Sequence, residues 1–129
     1  KRYRDEGGHD QVQQWLARAD GVVMAAHARV EVASSFCRDL HDGATTRTDF
    51  DADLQILALD FEGFEVVPLD ERIEALSIQA MAASRLRAMD ALHIATAQAT
   101  GVDMFVTADQ RQALAAQALA IPTFLVQAG

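Results

Sequence analysis

One cysteine, one lysine and two prolines are all that 129 residues contain of these types. Cys37 has no partner within the chain, so no internal disulfide forms; stability must come from the core, and a reducing compartment is expected. No apolar run reaches the ~18 residues of a membrane span and no signal peptide is recognisable, so the chain reads as soluble and cytoplasmic, with no membrane partner. There is no initiator methionine either: the chain begins "KRYRDEGG", and further residues are expected upstream of Lys1. Repeats, linkers and low-complexity segments are missing too, which leaves a single domain over residues 1–129.

Positive charge is also scarce. Nineteen acids face eleven bases, a net of -8, and every base but Lys1 is an arginine. So acidic a chain is poorly suited to coating nucleic acid, which rests on phosphate neutralisation. It can act on nucleic acid if its acids hold a divalent cation, or it can attract a basic protein partner. Half the residues are hydrophobic, enough for a packed core.

The apolar spacing divides the chain into elements. Val12, Trp15, Leu16 and Ala19 make a helical stripe, and "GVVMAA" (Gly21–Ala26) reads as a short buried strand. "HARVEVASSFCRDL" follows as a helix with Val30, Ala33, Cys37 and Leu40 on one face, and "HDGATT" breaks it. A helix is expected to start at Thr48, with Asp51 as its capping-box partner and Phe50, Leu54, Leu57 and Phe61 inward. "FEVVPL" is a strand ended by Pro68. Asp70 then caps a helix whose stripe is Ile73, Leu76, Ala80 and Ala83. The helix containing "MDALHIATA" ends at Gly101; "DMFVTAD" is a strand, "QRQALAAQALA" a helix and "IPTFLV" a last strand. Alternating helices and non-alternating apolar strands predict a parallel α/β sheet covered on both faces. In such sheets ligands bind beyond the carboxyl ends of strands, so functional side chains should stand just after strands or at helix starts.

Three acids stand in such places. Asp109 ends "FVTAD", with Thr107 two residues earlier; taken alone, it reads first as an N-cap for the helix that follows. Glu31 lies in the first turns of the helix after "VVMA"; a solvated glutamate favoured by the positive helix end is the plain alternative. Asp90 opens a helix apolar on most sides: Met89, Leu92, Ala95 and Ala99 on one, Ile94 and Ala97 on another. A carboxylate buried there needs a partner or becomes protonated. A cap remains an alternative, although "SRLRA" carries no turn residue marking a helix start. His93 reads as a packing or rim hydrogen-bonding side chain and not as a metal ligand, since no second histidine lies at metal-ligand spacing. Together the acids suit a hard cation, Mg2+ or Mn2+, which relieves their mutual repulsion and steadies charge developing on a phosphoryl group. Lys1, Arg2, Arg4, Arg85 and Arg87 are either contacts for a phosphate backbone or solvated charges.

Over essentially its whole length the chain resembles the PIN-domain ribonucleases, and among them the VapC-type toxins of toxin–antitoxin systems. "ARVEVAS" resembles the family segment whose glutamate falls on Glu31, "RAMDALHIATA" the one whose aspartate falls on Asp90, and "VTADQR" the one that places an aspartate on Asp109 and a hydroxyl on Thr107. The resemblance implies a three-layer α/β/α sandwich with a central parallel sheet. It implies Mg2+- or Mn2+-dependent hydrolysis of RNA phosphodiester bonds, with Glu31, Asp90 and Asp109 as metal ligands and Thr107 hydrogen-bonding the water or a carboxylate. It further implies a homodimer held inactive by a cognate antitoxin. Members of the family begin with a central strand ending in another metal-binding aspartate, within a "DTS"-like turn. That strand is missing ahead of "KRYRDEGG", so an N-terminal truncation is expected.

Two rivals come from other classes. A phospho-receiver domain needs a lysine near its last strands, which this chain does not have. A PIN-like binding module without catalysis, acting through protein partners, would differ in titration with Mg2+ or Mn2+, since it need not keep the metal site.

Overall fold

The structure is a computed structural model and describes residues 9–127, with the side chains of positions 9, 10, 12 and 13 outside the description. Lys1, Arg2 and Arg4 and the side chain of Val12 therefore lie outside the described residues. The elements run α1 (His9–Arg18), β1 (Val23–Ala25), α2 (Ala28–His41), α3 (Arg47–Glu62), β2 (Glu65–Val67), α4 (Glu71–Ala83), α5 (Ala88–Thr100), β3 (Phe105–Thr107), α6 (Gln110–Ala118) and β4 (Thr123–Leu125).

All strand pairing among the described residues is parallel. β1 pairs with β2, Val23 opposite Glu65 and Ala25 opposite Val67; β3 pairs with β4, Phe105 opposite Thr123 and Thr107 opposite Leu125. The expected single sheet is present as these two pairs. Each parallel pair requires a helical crossover, supplied by α2 and α3 in the first case and by α6 in the second.

Two apolar clusters hold the elements together. One joins Ala28 and Phe36 of α2 to Phe50, Leu57 and Phe61 of α3. The other joins Ala80 of α4, Ala91 and Ile94 of α5, Ala115 and Ala116 of α6, and Ile121. Ala91, Ile94 and Ala95 have no exposed surface, as a helix without a polar face requires. Small residues let α4 and α6 approach α5 closely, while Ile94 fills the remaining space; burying one such side chain contributes roughly 1.5–3 kcal/mol. Trp15 of α1 stacks against Phe124 of β4 with ring centroids 5.2 Å apart, and Gln127 N donates to Gln11 Oε1, so α1 is fastened beside the second pair.

Local signals explain most element ends. Asp70 caps α4 by accepting from Ile73 N, and Gly101 ends α5 in the left-handed conformation at φ 64°. α3 starts earlier than expected. Its cap is Thr46, whose hydroxyl accepts from Asp49 N at 3.1 Å; Asp51 instead takes an ion pair with Arg47, Nε to Oδ1 3.2 Å. A threonine in extended backbone offers its oxygen to the free amides of the first turn, and Thr46 reaches that geometry where Thr48 is already helical. Met89, in the first turn of α5, is 54 % exposed rather than inward.

Candidate active site

The carboxyl ends of β1 and β3 lead into the residues singled out above. His27 follows β1 and stands at the N-cap position of α2, with Glu31 one turn on; Asp109 follows β3 and caps α6, accepting from Gln112 N at 3.0 Å. Between them comes the start of α5. α4 ends at Ala83, Ser84 and Arg87 are extended, and α5 begins at Ala88, so Asp90 lies in the first turn. A helix start thus does precede Asp90, contrary to what "SRLRA" suggested. Arg87 occupies the cap position without a side-chain cap bond, which is why no turn residue marks it. Asp90 is no cap: its carboxylate has no hydrogen-bond partner among the described residues. The positive end of the helix favours a carboxylate in this turn.

Electrostatics tie the acids together. Burial first, then the charges of Asp109 and Glu31, push the Asp90 carboxyl above its ordinary range, while His93 and Arg87 act in the opposite sense. The tightest donor set, however, is a different one. His93 Nε2 donates to Glu31 Oε1 at 2.8 Å, and His27 Nε2 lies 3.7 Å from Glu31 Oε2. The two imidazoles stack at 4.3 Å between centroids, tilted by 42°, and His27 Nε2 donates to the Met89 carbonyl at 3.1 Å. Burial, then the neighbouring His93, hold the His27 imidazole below its ordinary pKa, against the pull of Glu31, the Met89 carbonyl and Asp90. Among the described residues, the three side chains whose donor atoms all lie within 4.8 Å of one another are His27, Glu31 and His93. Glu31 is drawn to the histidines and Asp109 to the α6 amides, so the three acids share a field without forming that compact set.

Thr107 is buried and its hydroxyl is doubly used. It accepts from Asp109 N at 3.0 Å and donates to Gln112 Oε1 at 2.6 Å. It therefore shapes the turn that carries Asp109, and among the described residues no carboxylate is its partner. Gln112, also buried, sends its Nε2 to the Asp90 carbonyl at 3.2 Å, so one side chain links the β3–α6 turn to the first turn of α5. Neither Gln112 nor His27 stood out in the sequence. Their signals were there: His27 precedes Glu31 by one helical turn, and Gln112 follows the Asp109 cap by three residues, the spacing of a capping box. Arg87 belongs to the field around Asp90, whereas Arg85 is exposed in the connection before α5.

Three carboxylates are the donor chemistry of a hard divalent cation, which would offset the burial and the like charges that raise the Asp90 carboxyl. No helix among the described residues is long and apolar enough to cross a membrane.

Known proteins give the frame for these residues. No curated protein matches the chain. A solved structure titled "Crystal Structure of FitAcB from Neisseria gonorrhoeae" is similar in fold, at TM-score 0.70 and 19% sequence identity, over 89% of this chain and 84% of that one. The family model for the PIN domain matches residues 2–118, a span that takes in Glu31, Asp90, Thr107 and Asp109. By that match, the chain belongs to the PIN-domain family.

Proposed function

We propose that this chain is a Mg2+- or Mn2+-dependent endoribonuclease, the toxin component of a type II toxin–antitoxin pair. The observation that carries the reading is the placement of Glu31 after β1 and Asp109 after β3 around Asp90 in the first turn of α5, where burial and then the charges of Asp109 and Glu31 push the Asp90 carboxyl above its ordinary range. Membership of the PIN family supports it. Glu31, Asp90 and Asp109 are the residues that hold the cation. When bound, it supplies Lewis-acid charge against the negative charge developing on the scissile phosphoryl group.

The chain's own residues do the rest. His93 holds Glu31 by its 2.8 Å hydrogen bond, and Thr107 and Gln112 fix the turn bearing Asp109. The buried body of α5 fixes Asp90. With a net charge of -8, the protein repels an RNA backbone unless the acids are neutralised, so substrate entry and cation loading are coupled. Ile56 and Leu59, one turn apart on α3, and Val30 on α2 are exposed apolar groups. In this reading a second copy, or a segment of a cognate antitoxin, covers them. An acidic toxin surface also suits a basic inhibitory segment. The site of action is the cytoplasm.

The test is cleavage of RNA by the purified protein with and without metal. Asp90→Asn abolishes Mg2+-dependent cleavage while circular dichroism stays unchanged. Full activity of that variant, or undiminished activity in EDTA, refutes the proposal.

A further inference from the structure

We infer that His27, Glu31 and His93 form a Zn2+ site, distinct in chemistry from the acidic set although it shares Glu31. Three observations meet there. The three donor atoms all lie within 4.8 Å of one another. Each carboxylate oxygen of Glu31 faces its own imidazole, Oε1 to His93 Nε2 at 2.8 Å and Oε2 to His27 Nε2 at 3.7 Å. The side chains are also accessible enough for an ion to enter, being 17%, 46% and 21% exposed for His27, Glu31 and His93.

In a tetrahedral site with bonds of about 2.1 Å, neighbouring donors stand roughly 3.4 Å apart. With one donor atom from each residue, all three already lie within 4.8 Å of one another, so side-chain rotations that draw them together seat the ion. Two imidazoles and one carboxylate are a three-ligand set that leaves the fourth position open to water or an external ligand. Nitrogen donors favour Zn2+ over Mg2+, which prefers oxygen and keeps much of its hydration.

The backbone holds the set in place. His27 and Glu31 lie four residues apart at the start of α2, on one face, and His93 comes from α5, where the next two residues are wholly buried. Seating the ion exchanges the His27–Met89 carbonyl and His93–Glu31 hydrogen bonds for metal bonds and displaces the protons on those nitrogens.

The experiment is calorimetric titration of the full chain with Zn2+ alone and, in parallel, Mg2+ alone. One Zn2+ binds per chain, and His27→Gln or His93→Gln each lowers the ratio of Zn2+ to Mg2+ affinity by at least about tenfold. Absence of stoichiometric Zn2+ binding, or a ratio unchanged in both variants, overturns the site. Co2+ substitution gives a readout on the unmutated chain: an intense tetrahedral visible spectrum supports the triad, and a weak octahedral one overturns it. Zn2+ binding through the histidines without any Mg2+ binding would refute the nuclease reading and leave this site standing.

Discussion

Replacing Gln112 by alanine removes the one side chain that joins the Asp109 turn to the Asp90 turn. Two bonds go with it, Thr107 Oγ1 to Gln112 Oε1 at 2.6 Å and Gln112 Nε2 to the Asp90 carbonyl at 3.2 Å. The backbone bond from Gln112 N to Asp109 Oδ1 stays, so the cap of α6 survives. Both the glutamine and Thr107 are buried, which leaves a hydroxyl without its acceptor. A buried polar group stranded in this way costs about 1–3 kcal/mol, so the substitution should destabilise the protein by about 1–3 kcal/mol. For a domain of this size that corresponds to a fall in melting temperature on the order of 10 °C. Because the turn carrying Asp109 loses an anchor, Mg2+ affinity should also fall, by roughly 10–100-fold. Urea denaturation monitored by circular dichroism gives the first quantity and calorimetric titration with Mg2+ the second. A stability change below about 0.5 kcal/mol, the range of ordinary surface substitutions, would refute the idea that this network holds the two turns together.

Other consequences follow from single residues. Since the Asp90 pKa is raised in the folded state, folding binds a proton more tightly there. Stability of the metal-free protein should fall as pH rises from the ordinary carboxylate range through the raised value. Asp90→Asn removes that loss. It should stabilise the metal-free protein at neutral pH by no more than about 1 kcal/mol after solvent screening, and have no such effect in strong acid; thermal melts at both pH values check it. Ile94→Ala opens a cavity at a fully buried position and should cost 2–5 kcal/mol, roughly, in denaturant unfolding. Gly101→Ala meets no neighbouring atom but forces alanine to φ 64°, at a cost of about 1–2 kcal/mol seen as a lower melting temperature.

Periodicity made the elements readable, because each helix buries one stripe and each strand is short and apolar. Asp70 and Gly101 marked helix ends through chemistry that acts on adjacent backbone. Two ends were harder. α3 takes Thr46 rather than Thr48 as its cap, a choice among neighbouring threonines that tertiary packing makes. α5 begins after an uncapped arginine, held by contact with α4 and α6 instead of by a local signal. At the candidate site, the acids were legible as residues placed after strands and at helix starts. Their partners were less so. His93, read as either a packing or a hydrogen-bonding side chain, bonds Glu31, a partner 62 residues away in the chain. His27 joins them only because β1 and α5 lie side by side. Thr107 was placed at the site, yet its actual bonds to Asp109 N and Gln112 appear only once the β3–α6 turn is folded.

α5 is at once the hydrophobic centre and the bearer of Asp90 and His93. Local opening free energies in a protein are lowest at frayed ends and loops and approach the global value in the core. A side chain rooted one turn from Ala91, Ile94 and Ala95, none of which has any exposed surface, inherits the slow end of that scale. Displacing His93, whose next two residues are wholly buried, by more than a rotamer change would therefore require the core around α5 to loosen. Substitutions that loosen the centre should blur the geometry of the proposed cation site well before they unfold the chain, so that hydrogen-exchange protection of α5 and any cation selectivity fall together.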